Sequence, residues 1–110
     1  MELSLSSSNV GERTVLSVAG EVDVYSAPQL RDRLTDLIDS GDSGLVVDLS
    51  EVSFLDSTGI GTLVAGLNRA AGAGGGLSLV CNQDRILKLF RITGLEGVFT
   101  IYPTLGAVDA

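Results

Sequence analysis

Short aliphatic runs alternate with amphipathic segments of helical period along nearly the whole chain. Few folds can accept that alternation. Leu3, Leu5 and Ser7 alternate with polar neighbours, Asn9-Val10-Gly11-Glu12 supplies a turn, and Thr14-Val15-Leu16-Ser17-Val18 follows, so the chain opens as a β-hairpin. Gly20-Glu21-Val22-Asp23 leads to Ser26-Ala27-Pro28-Gln29, which has the form of a capping box with proline in the first turn. Leu30, Leu34, Leu37 and Ile38 then mark one helical face, stopped by Ser40-Gly41. A third strand reads from Leu45 to Leu49, and a second helix from about Ser57 to Ala71. The glycine-rich run from Ala71 to Gly76 ends that helix, and Leu77 to Cys81 is a fourth strand. Ile86, Leu87, Leu89 and Phe90 make a third helix closed by Gly94. A last strand, Val98 to Tyr102, precedes Pro103 and a tail with room for one helical turn.

The order β-β-α-β-α-β-α-β predicts a single α/β domain over residues 1–110, with its core at about 3–102 and a short tail at 103–110. After the hairpin, alternating units imply right-handed crossovers and a mostly parallel sheet with helices packed on it. A hydrophobic content of 45% against 19% charged residues suits a compact core and argues against disorder. One geometric consequence needs no further information. Segments leaving the second, third and fourth strands all emerge at the carboxyl rim, where sites in open α/β sheets form. Asp23, the pair Asp56-Ser57, and Asn82 therefore converge there from distant parts of the sequence.

The composition excludes several chemistries. The chain has no histidine, which removes Ser-His-Asp and Cys-His catalysis. Seven basic residues against fourteen acidic ones give a net charge of −7, which disfavours nucleic acid and anionic membrane and favours a protein partner with a basic face. Gly72 to Gly76 follows a helix and precedes a strand, the wrong place for a phosphate loop, and no G-x-x-x-x-G-K-[ST] occurs. No G-x-S-x-G elbow surrounds Ser57, and the single lysine, Lys88, lies inside a helix, against an aspartyl-phosphate receiver. No Cys/His cluster suggests a metal, and no cofactor is expected. The lone Cys81 lies in an apolar strand and reads as core. The first thirty residues lack a secretory pattern, and the longest apolar stretch, around Gly59 to Leu67, falls short of a membrane span, so a cytoplasmic location is expected.

What remains is Asp56-Ser57-Thr58-Gly59, a hydroxyl beside an acid where a helix begins. Taken alone, either side chain could serve as a helix cap, and Asp23 could be a solvated loop residue or a cap of the first helix. The company suggests more. Small residues Thr58, Gly59 and Gly61 leave room around Ser57 for another protein's active site, and Asp23 is expected on the same rim. A phosphate on Ser57 would meet the positive end of the second helix while adding roughly −1.5 to −2 charges beside two carboxylates.

Together, Gly20-Glu21-Val22-Asp23, Ala27-Pro28-x-Leu30, Val47-Asp48-Leu49, Phe54-Leu55-Asp56-Ser57-Thr58-Gly59 and Leu89-Phe90-x-Ile92-x-Gly94-Leu95 resemble the anti-sigma-factor antagonists of the STAS family. The resemblance runs in order from about Leu3 to Tyr102. It implies a non-enzymatic bacterial partner-switching protein that regulates transcription. On that basis Ser57 is the residue phosphorylated by an anti-sigma factor with serine kinase activity, and a metal-dependent serine phosphatase resets it. Unphosphorylated, the antagonist binds the kinase and releases a sigma factor. Asp23, Asp56, Ser57, Thr58 and Gly59 are then the partner-binding residues, and ATP and magnesium belong to the kinase. Family members commonly end in a clearer amphipathic helix than Leu105 to Ala110 offers. Two other readings stay open: a constitutive STAS-like adaptor subunit of a lipid-transport ATPase, and a small-molecule-binding α/β domain.

Overall fold

Which face of each strand is apolar decides the layering. A computed structural model describes residues 2–41 and 44–108. β1 (Ser4–Val10) and β2 (Arg13–Val22) pair antiparallel, from Ser4 opposite Ala19 to Val10 opposite Arg13. Their two-residue turn has Gly11 at φ +62°, a conformation that glycine adopts without steric cost. α1 (Ala27–Asp39), β3 (Gly44–Leu55), α2 (Ser57–Gly72), β4 (Gly76–Val80), α3 (Asp84–Ile92) and β5 (Ile101–Tyr102) follow, then a 3-10 turn at Leu105–Ala107. The strands lie in the order β1-β2-β3-β4-β5, and every pairing after the hairpin is parallel. The single α/β domain with a mostly parallel sheet is thus as expected.

All three helices contribute to one core. Leu30, Leu34 and Ile38 of α1, Ile60, Leu63 and Ala70 of α2, and Ile86 and Phe90 of α3 join Leu16, Val18, Leu45, Val47, Leu49 and Leu79 from the strands. Each fully buried aliphatic side chain contributes about 1.5–3 kcal/mol, which offsets ordering of the backbone. Alternation sends Val15, Val46 and Val80 to the other face, where Val108 and Leu105 of the tail cover them. The one helical turn expected in the tail is this 3-10 turn; Asp109 and Ala110 lie outside the described residues.

Three expectations need correction. The third strand does not stop at Leu49 but continues to Leu55, and β2 likewise runs through Gly20-Glu21-Val22. Two register shifts against β2 explain why: core-facing residues in β3 step from Leu49 to Val52 to Leu55, a spacing of bulges rather than of regular strand. The last strand shrinks to Ile101–Tyr102, because Phe99 turns into the core and packs edge-on against Phe90, with centroids 5.6 Å apart. The capping box at Ser26 does not form. Ser26 is the N-cap of α1 by position, yet its side chain makes no capping bond; its hydroxyl donates to the Glu21 carbonyl at 2.8 Å and accepts from the Asp23 N–H at 3.0 Å.

Candidate functional site

Val22 opposes Leu55 in the parallel register, so the chain leaves β2 and β3 at the same level. Asp23 and Asp56 are the next residues, each just past the end of its strand, and paired strands lie about 4.8 Å apart. The Asp56 N–H donates to the Val22 carbonyl at 3.3 Å, which ties the two exits together. The convergence expected from topology is therefore present for these two acids and for Ser57.

The two carboxylates do different work. Asp56 is the N-cap of α2: its Oδ1 accepts the Gly59 N–H at 2.9 Å, and its carbonyl accepts the Ile60 N–H at 3.0 Å. Because the acid takes the cap, Ser57 becomes the first helical residue, exposed and outside the capping bond. Thr58 beside it is also exposed, and its carbonyl accepts the Thr62 hydroxyl at 3.0 Å. Asp23 folds its own loop: Oδ1 accepts the Tyr25 N–H at 2.9 Å and the Ser26 N–H at 3.0 Å. Those donors, the Ser26 amide foremost, hold its carboxyl below the usual carboxylate range. At neutral pH the rim carries this charge in a fixed place.

Gly59 is buried, unlike the rest of the group. A Cβ there would come within 2.5 Å of Leu55 Cδ1, 2.8 Å of Val22 Cγ1 and 3.2 Å of the Val22 carbonyl oxygen. Its contribution is to let the first turn of α2 sit directly on the ends of β2 and β3. Asp56, Ser57 and Thr58 are held at the rim from beneath.

Asn82 leaves β4 at this rim, but its neighbour Gln83 is the more consequential residue. β4 pairs with β3 only as far as Asp48, so β3 runs on without a partner on that side. The Gln83 amide donates to the carbonyls of Leu49 and Ser50, each at 2.8 Å, and lies 3.3 Å from that of Val52. Arg85 donates to the Ser53 carbonyl at 2.6 Å. These two side chains cover an edge that would otherwise be left open. Only a count of unequal strand lengths would have flagged them in the sequence. Val24, Tyr25 and Phe54, all exposed, flank the two acids; Phe54 opens the Phe54-to-Gly59 motif, whereas no motif singled out Val24 or Tyr25.

Cys81 is buried as expected, its thiol pushed up by desolvation and its Sγ 3.4 Å from Gln83 Oε1. Among the described residues no group of acids and thiols could hold a metal ion, and no helix is long and apolar enough to cross a membrane.

Comparison with known proteins places this geometry among relatives. The STAS domain family matches residues 6–108. The anti-sigma-B factor antagonist of Bacillus subtilis (strain 168) is 42% identical over 86 residues, 78% of this chain and 78% of that protein. The anti-sigma-B factor antagonist of Staphylococcus aureus (strain NCTC 8325 / PS 47) is 34% identical over 101 residues, 92% of this chain and 94% of that one. An anti-sigma factor antagonist from Mycobacterium paratuberculosis has a crystal structure that superposes with a TM-score of 0.88 at 29% identity, covering 96% of this chain and 90% of the other.

Proposed function

The chain belongs to the STAS domain family, and we propose that it acts there as a phosphorylation-controlled anti-sigma-factor antagonist. Unphosphorylated, it binds an anti-sigma factor that is also a serine kinase, and the sigma factor held by that kinase is released. The kinase transfers the γ-phosphoryl group of ATP to Ser57 Oγ: the new O–P bond replaces the bond to ADP, and the hydroxyl proton passes to the kinase. A metal-dependent serine phosphatase hydrolyses the phosphoserine and restores the binding form. The chain itself supplies a surface and an acceptor, not a catalyst.

One observation carries this reading. Asp56 performs the capping that Ser57 would otherwise perform, so the hydroxyl stands exposed at the first position of α2 with no structural duty. Phosphorylation there removes no capping bond, and the helix N-terminus favours a nearby negative group. The fold therefore tolerates the modification. A docked partner does not, because the phosphate, with roughly −1.5 to −2 charges beside Asp23 and Asp56, fills the space its surface must occupy over Ser57. A contact fitted to a small hydroxyl loses its close packing when a phosphate fills that space, and the lost complementarity is enough to release a complex of ordinary affinity.

Binding of Ser57→Ala and Ser57→Asp to the purified anti-sigma factor tests the mechanism. Ser57→Ala retains wild-type affinity and takes no phosphate, whereas Ser57→Asp binds about tenfold or more weakly, with both variants unfolding like wild type. Equal affinity for the two variants would sink it.

A further inference from the structure

The surface displays few large apolar side chains. Of Val24, Tyr25, Phe54, Ile92 and Val98, the first three lie within two residues of Asp23 or Asp56. Two of those three are aromatic, and each is presented by a specific local device.

Tyr25 is 90% exposed on a loop that does not need it there for packing. Its N–H is fixed by Asp23 Oδ1, and the neighbouring Ser26 N–H and hydroxyl bind Asp23 and Glu21 in turn. A ring held out on a pinned turn loses little conformational freedom on association. Beside it runs an open cleft of about 610 Å³, lined by Glu2, Leu3, Asp23, Tyr25, Ser26 and Gln29, with room for partner side chains to close around the ring.

Phe54 is exposed because of a bulge. Gly20 pairs with Val52 but Glu21 pairs with Phe54, so Ser53 is an extra residue in β3. Regular alternation from Val52 would turn Phe54 into the core and Leu55 outward. The bulge reverses this, burying Leu55 at 3% exposure and leaving Phe54 at 47%. Arg85 secures the bulge through the Ser53 carbonyl at 2.6 Å. A phenyl ring is thus sent into solvent two residues before the acid that caps α2.

We propose that Tyr25 and Phe54 are the apolar anchors of the docking surface, and that its occupant is the anti-sigma factor. That partner meets them with an apolar pocket for each ring, bordered by basic groups that complement Asp23, Asp56 and a chain of net charge −7. This rests on the antagonist reading above, and it divides the labour at the rim. The rings supply affinity in either phosphorylation state, and Ser57 with its acids decides whether the approach is permitted.

The test is titration calorimetry of the full chain against a purified anti-sigma factor with serine kinase activity from the same organism, with intact mass after ATP reporting phosphate on Ser57. Tyr25→Ser and Phe54→Ser each weaken binding about tenfold or more, while Tyr25→Phe, which keeps the ring, stays near wild type. Ile92→Ser and Val98→Ser, also exposed but remote from the two acids in sequence, stay within about twofold. Thermal midpoints separate lost binding from lost folding. Wild-type affinity in both serine variants overturns the anchor assignment and leaves the switch standing, also where sedimentation reveals that the rings serve instead in pairing two copies of this chain. A wild-type chain that neither binds the kinase nor gains phosphate overturns the antagonist reading, and this inference with it.

Discussion

Asp23 and Asp56 stand at one rim, and each uses its carboxylate to order the backbone that follows it. Asp56 spends its carboxylate on the Gly59 amide, and Asp23 spends its own on Tyr25 and Ser26. Since the Asp23 carboxyl lies below the usual carboxylate range in the folded chain, its loop contacts are fully present above the unfolded value and fade as pH falls through the folded one. We therefore expect the amide resonances of Tyr25 and Ser26 to titrate together, with a midpoint below the ~3.9 of a free aspartate. A midpoint at or above that value would mean the carboxylate does not hold the loop. At this scale the sequence was informative where a residue has few alternatives. Asp56-Ser57 at a helix start left only the question of which side chain caps. Ser26-x-x-Gln29 was misleading because the same hydroxyl can bind forward to the helix or back to a strand carbonyl, and the nearby Glu21 carbonyl and Asp23 amide took it.

Elements reach the site through close contact between α2 and the ends of β2 and β3. Gly59 permits that contact, and Gly61 two residues later meets nothing within 4 Å where its Cβ would lie. The two glycines should therefore respond oppositely to alanine. Gly59→Ala is expected to destabilise by about 1–3 kcal/mol, because the strand ends and the helix must separate. Gly61→Ala, in an exposed helix interior, is expected to stabilise by about 0.5–1 kcal/mol. Urea denaturation of the two variants checks the pair, and a neutral Gly59→Ala would show that the helix start is not fixed by this packing. Helix positions were legible in the sequence since a 3.6-residue period persists over several turns. Strand extents were not. Past Leu49 the core-facing residues of β3 come every third position, at Val52 and Leu55, and no strand template of period 2 detects that. The bulge at Ser53 also decides Phe54, which regular alternation from Val52 would turn into the core and which the fold leaves in solvent.

Across the whole molecule, helices α1 to α3 cover one face of the sheet, the tail closes part of the other, and the acids gather at the carboxyl rim. Topology alone foretold that rim, because parallel strands must all end on one side. It could not foretell which side chains are displayed there, which depends on caps, bulges and loop hydrogen bonds settled in three dimensions. In the function proposed above, a rim stable enough to accept a phosphate on Ser57 is, once phosphorylated, a rim the anti-sigma factor cannot hold. The measurement that tests it most directly is the affinity of one purified anti-sigma factor for two forms of the same wild-type chain, unmodified and phosphorylated at Ser57. Intact mass, a gain of ~80 Da absent from Ser57→Ala, certifies the modified form. Unchanged thermal unfolding and binding weakened by about tenfold or more on phosphorylation are expected. Equal affinity of the two forms, or a phosphorylated chain that has lost its fold, would contradict it.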